Sequence, residues 1–157
     1  MNRYLTSDLL ASIGLLNSSF VESSCGEGDS VELALEFFEE EMIFISSLNR
    51  RELSKLSSRH RQLKTFLAAP QKFYEMLPRF RKNDSVIFSL NPTLADAYFE
   101  LNYVFENFWF NRTTVLLPLV ETFSSYERIL KLAMRYDVLL QYERGAENKT
   151  ILIIEHK

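Results

Sequence analysis

The sequence predicts a mainly α-helical fold: an N-terminal helical hairpin packed on a C-terminal half that closes in a β-hairpin. Three observations predict it. Glycine is scarce, 4 residues in 157, about 2.5% against a usual ~7%. Two capping pairs, Asp29 with Glu32 and Asn49 with Glu52, each open a run of apolar residues at three- and four-residue steps. The paired β-rich runs flanking a turn come late, at 138–142 and 150–154. With 46% hydrophobic and 25% charged residues, a chain of this length buries a core without disulfides or metal, and wholesale disorder is excluded.

The elements follow in order. A first helix is expected over about 5–16, then a polar loop from Asn17 to Gly28 that carries two of the four glycines. Val31, Ala34, Leu35, Phe38, Met42 and Ile45 share one face of a helix over 29–47, with Glu32, Glu36, Glu39 and Glu40 as a solvated stripe opposite. The second capping pair starts a helix over 50–68 whose seam is Leu53, Leu56, His60, Leu63 and Leu67. So short a link makes the two helices antiparallel neighbours. A short helix fits between Pro70 and Pro78, a short strand at 85–90, and a helix over 94–110 opened by Thr93 and Asp96. That last helix holds Tyr98, Phe99, Tyr103, Phe105, Phe108, Trp109 and Phe110 on more than one face, which predicts a homodimer interface. A short β-favouring run at 113–117, a helix from Pro118 through about Phe123, a helix over 126–136 and the terminal hairpin complete the chain. The division is 1–82 and 83–157, within one compact unit.

Charge is arranged in blocks. Residues 1–49 hold nine acids and one base, a net −8; residues 50–82 hold ten bases and two acids, +8; the remainder, with ten acids and seven bases, has −3. The basic block is either matched by the acidic helix beside it or forms a surface for an anionic partner. Its end, from Pro70 to Lys82, interleaves cations with Phe73, Tyr74 and Phe80, a mixture that suits unpaired nucleic acid and also anchors a short helix.

No catalytic signature is evident. Cys25 stands in a polar loop with no histidine near it, no phosphate-cradling glycine motif is apparent, and the glutamate stripe lacks a second acidic helix or a histidine for a metal. A single cysteine and the absence of a long apolar run point to a cytoplasmic protein without membrane contact.

From residue 94 onward, the order helix, helix, short turn, second helix and terminal hairpin resembles the winged-helix superfamily. The resemblance covers about 40% of the chain and is one of element order. It implies that the second helix enters a DNA groove and the hairpin touches the backbone, roles that fall on Ser125, Arg128, Lys131 and Arg135, with Arg144 and Lys149 in the wing. The expected function is therefore a non-enzymatic, nucleic-acid-binding regulatory or assembly protein with no cofactor and no metal, partnered by DNA. The alternative is an adaptor whose winged helix docks on a partner protein.

Overall fold

The computed structural model describes residues 4–13, 17–25, 28–81, 83–110 and 112–156. Seven strands form one sheet: β1 (Ser18–Glu22), β2 (Ile43–Ser47), β3 (Lys64–Leu67), β4 (Ser85–Ser89), β5 (Thr113–Leu119), β6 (Val138–Arg144) and β7 (Thr150–His156), in the order β3-β2-β1-β4-β5-β7-β6. The first five are parallel neighbours. β7 runs antiparallel between β5 and β6, pairing Leu117 with Leu152 on one side and Leu152 with Tyr142 on the other.

This overturns the mainly α fold. β1 and β2 are buried along their whole length, because parallel strands are covered on both faces and so do not alternate in polarity. Met42 and Ile45, three residues apart, therefore fit a helical face although Ile45 lies in β2. The helix expected over 29–47 stops as α2 (Asp29–Ala34), and the one over 50–68 stops as α3 (Arg50–Arg59), after which the chain enters β3. Strand β2 separates the two, so no helical hairpin forms. The terminal hairpin exists as β6 and β7, but β7 pairs with β5 inside the sheet, Pro118 lies in β5 opposite Ile151 instead of opening a helix, and the winged-helix resemblance falls with that pairing. Of the helix expected over 5–16, α1 (Ser7–Ser12) is formed, and residues 14–16 lie outside the described residues.

Helices cover both faces. On one, α1, α2 and α3 press Leu9, Leu10, Val31, Ala34, Leu53 and Leu56 onto Phe20, Ile43, Ile45, Ile87 and Leu116. On the other, α4 (Pro70–Met76), α5 (Leu94–Asn107) and α6 (Glu127–Ala133) cover Val21, Phe44, Val86, Phe88, Val115 and Leu117. Residues of one strand thus alternate between two separate cores, the period-two geometry of a pleated strand. None of the seven aromatics of the 94–110 segment is exposed: Phe105 and Phe108 are buried and the others half-buried. Trp109 packs edge-on against Phe105 and beside His156 of β7, its Nε1 without a hydrogen-bond partner among the described residues. The core absorbs these rings, which removes the surplus that argued for a dimer. Among the described residues no helix is long and apolar enough to cross a membrane.

Candidate active site

In an open parallel sheet the ligand crevice lies outside the carboxyl ends of the strands, where the strand order reverses. Here the chain leaves β1 toward β2 and β3, then returns to lay β4 on β1's other side, so the reversal falls between β1 and β4. Their exits are bound together by one side chain. Glu100, on α5, accepts hydrogen bonds from the Ser23 hydroxyl just past β1 and from the Asn91 amide just past β4, the latter at 2.8 Å. It is fully buried, and burial pushes its carboxyl up to about 7 even though both donors favour the ionised form. A second buried acid, Glu22, closes β1 and accepts from Ser30 in the first turn of α2.

Among the described residues of the loop between β1 and α2, Ser24 (52°) and Gly28 (90°) hold positive φ. Ser24 donates its amide to the Ser46 hydroxyl at 3.3 Å, and the Cys25 amide bonds the Ser46 carbonyl at 2.9 Å, which pins the loop to the exit of β2. Cys25 itself is buried; desolvation first, then Glu22 and Glu52, push its thiol up to about 12, so it is no nucleophile. Tyr74 of α4 is buried with its hydroxyl unpartnered among the described residues. Desolvation, Glu100 and Glu22 all hold that phenol neutral. On the far side the Tyr126 hydroxyl accepts from the Val120 amide past β5 and lies 3.3 Å from the Pro92 carbonyl past β4. Three strand exits are thus tied by Glu100 and Tyr126 into one rigid rim.

The residues singled out from the sequence lie elsewhere and are not gathered. Ser125 sits in a short turn against Thr122; Arg128 stacks its guanidinium over Tyr98 at 4.3 Å; Lys131 pairs with Glu127 at 3.3 Å. Arg135 is exposed past α6, and Arg144 and Lys149 flank the β6–β7 turn, exposed. Without a winged helix there is no reading helix or wing for them to form. Among the described residues no three His, Cys, Asp or Glu side chains are grouped to hold a metal. The residues that build the rim were missed, yet one signal was readable: Glu100 lies on the face of Ala97, Leu101 and Val104, a lone acid in an apolar stripe. Another was the β-favouring Phe20-Val21 followed by Gly26 and Gly28 at the mouth of a helix.

No family model matches the sequence, and no curated protein matches it. Solved structures do match over nearly the whole chain. A protein of Sulfolobus solfataricus assigned to the type 11 methyltransferases superposes with a TM-score of 0.69 at 11% identity, over 99% of this chain and 94% of that one. An rRNA methylase of Streptococcus thermophilus gives 0.63 at 10%, over 96% and 93%. A precorrin-6y C5,15-methyltransferase of Geobacter metallireducens gives 0.64 at 13%, over 96% and 87%. The non-enzymatic DNA-binding regulator and the adaptor both rested on a winged helix, and both fall with it. At these identities the likeness is one of architecture: the chain shares the fold of these methyltransferases, a seven-stranded mixed sheet covered by helices on both faces.

Proposed function

We propose that this chain is a methyltransferase that takes S-adenosylmethionine into the crevice between the exits of β1 and β4. The observation that carries the reading is the coincidence, at the reversal point of the sheet, of a left-handed loop after β1 with two buried carboxyl groups and an unpartnered phenol. The donor set fits the cofactor. Its sulfonium is a cation, and Glu22 and Glu100 give this crevice a negative potential that favours one. Ser46, Ser47 and Asn49 at the exit of β2 supply hydroxyl and amide groups for ribose, where dinucleotide-binding sheets use a carboxylate.

The cofactor supplies a methyl group on a positively charged sulfur, open to attack by a nucleophile. The chain's own part is to hold the rim rigid through Glu100 and Tyr126, to keep water from the floor with Tyr74 and Phe88, and to keep Glu100 ready to give up a proton near neutrality.

Calorimetry tests this directly. A cation entering beside a carboxyl that ionises near 7 drives it to ionise, so proton release accompanies binding of the sulfonium cofactor and not of its neutral thioether product. Preference for S-adenosylmethionine over S-adenosylhomocysteine is expected to rise by up to about tenfold from pH 6 to pH 8, and Glu100→Gln to abolish that rise. If neither compound binds at millimolar concentration, the reading is wrong.

A further inference from the structure

The basic block of the sequence is not consumed by the acidic one. Among the described residues Glu32 pairs with Arg59 at 3.3 Å and lies 3.2 Å from His60. Among the described residues Arg50, Arg51, Lys55 and Lys64 have no ion-pair partner, and all four are exposed. Arg51, Ser54, Lys55, Ser58 and Arg59 line one side of α3 at steps of i, i+3, i+4, i+7 and i+8, around a shallow depression. On the helix's other flank Arg50, Ser54 and Ser57 meet Thr65 of the edge strand β3 in a groove of about 410 Å³. Both surfaces are lined by cations and hydroxyls, and the one carboxylate among the described residues that pairs with a lining residue is that of Glu32, on Arg59 at the far end of α3. Glu52, the acid of α3, lines neither of them.

We infer that α3 and the β3 edge form a docking track for the phosphodiester backbone of a single-stranded nucleic acid, the substrate class of the proposed methyltransferase. Guanidinium forks and hydroxyls are the donors that phosphate oxygens take up, and these contacts position a strand without reading its bases. Arg51, Lys55 and Arg59 repeat every turn, about 6 Å apart along the axis, so that successive phosphates can be seated on them. Leu53 and Leu56, the apolar face of the same helix, are buried in the core, so α3 has no apolar side left to lay into a lipid surface. The net charge of the chain is −3; solubility alone gives no reason to segregate ten cations in one block. The track also begins beside the crevice, because α3 leaves β2 at the edge of the sheet where β1 and β4 end.

The inference rests on the methyltransferase reading for the reaction but not for the binding. Anisotropy of a labelled single-stranded RNA of mixed sequence, with the full chain and no cofactor, reads the binding alone. Affinity is expected to fall steeply with salt. R51Q/K55Q/R59Q should flatten the log–log slope by about two units, at roughly 0.7 per phosphate on a single strand, and weaken binding at low salt at least tenfold. R51K/K55R/R59K should bind like the parent, and so should R128Q/K131Q/R135Q on and just past α6. Should the α3 triple variant lose its native circular dichroism, Lys55→Gln alone is expected to flatten the slope by about 0.7.

An α3 variant that binds RNA like the parent, loss of binding that follows α6 instead, or binding to phosphatidylserine vesicles without binding to RNA overturns the track. Titrating the same proteins with S-adenosylhomocysteine separates the two ideas. RNA binding through α3 in a chain that takes no cofactor leaves the track standing and sinks the methyltransferase reading. Cofactor binding in a chain indifferent to RNA does the reverse.

Discussion

A carboxyl group in the middle of an apolar helix face is costly unless something holds it, and Glu100 is held by Ser23 and the Asn91 amide. Two donors do not offset the burial, because its carboxyl stays near 7 against an ordinary 4.5. The folded protein therefore binds a proton more tightly than the unfolded chain. The stability this contributes is fully present below about pH 4.5 and is lost as pH rises to 7, by roughly 3 kcal/mol. Glu100→Gln keeps a neutral acceptor, so urea denaturation should show the variant gaining on the parent by about that amount between pH 4.5 and pH 8. Parallel stability curves would assign the titration to another group. This residue was legible in principle: a lone acid among Ala97, Leu101 and Val104. The aromatics that surround it on the same helix mask that signal, because rings on more than one face resemble an association surface.

The start of α2 decides how the loop after β1 is aimed. Gly28 holds φ at 90° before the first turn, with no side-chain cap. A Cβ at Gly28 would lie 2.8 Å from a terminal methyl of Leu56. That methyl is the far end of a flexible side chain and can move, whereas the left-handed backbone remains strained for any L-residue. Gly28→Ala should therefore cost about 1–2 kcal/mol, and pairing it with Leu56→Val should recover little; chemical denaturation of the two variants checks this. Elements with local signatures were readable in the sequence. Asn49 does accept from the Glu52 amide at 3.2 Å, and the helix after Thr93 and the runs at 85–90 and 113–117 are present. β1 and β2 were not, because a strand buried on both faces has no alternation, and Met42 and Ile45 then fit the helical face that begins at Val31.

At the scale of the molecule, the sheet is completed by its last strand. β7 lies between β5 and β6, and Ile151, Leu152, Ile153 and Ile154 are buried in the two cores. Removing residues 150–157 would leave β5 with an open apolar edge and take packing from both faces at once. Such a chain is expected to show no cooperative unfolding transition and to partition into the insoluble fraction; a soluble, cooperatively unfolding product would contradict this placement. The hairpin itself could be read from Val138–Tyr142 and Thr150–Ile154, but its seat could not. Pairing of β5 with β7 joins residues more than thirty positions apart, and nothing local specifies it.

The neighbours of Trp109 give that last strand an optical readout. This indole is the single tryptophan of the chain, wedged between Phe105 and the His156 ring that ends β7. When β7 is seated the indole lies against protein on both sides; when β7 is absent one side opens to water. Its intrinsic emission, with no label attached, therefore reports the docking of one particular strand. Stopped-flow refolding followed at Trp109 times the closure of the sheet, separately from the formation of helices followed by far-ultraviolet dichroism.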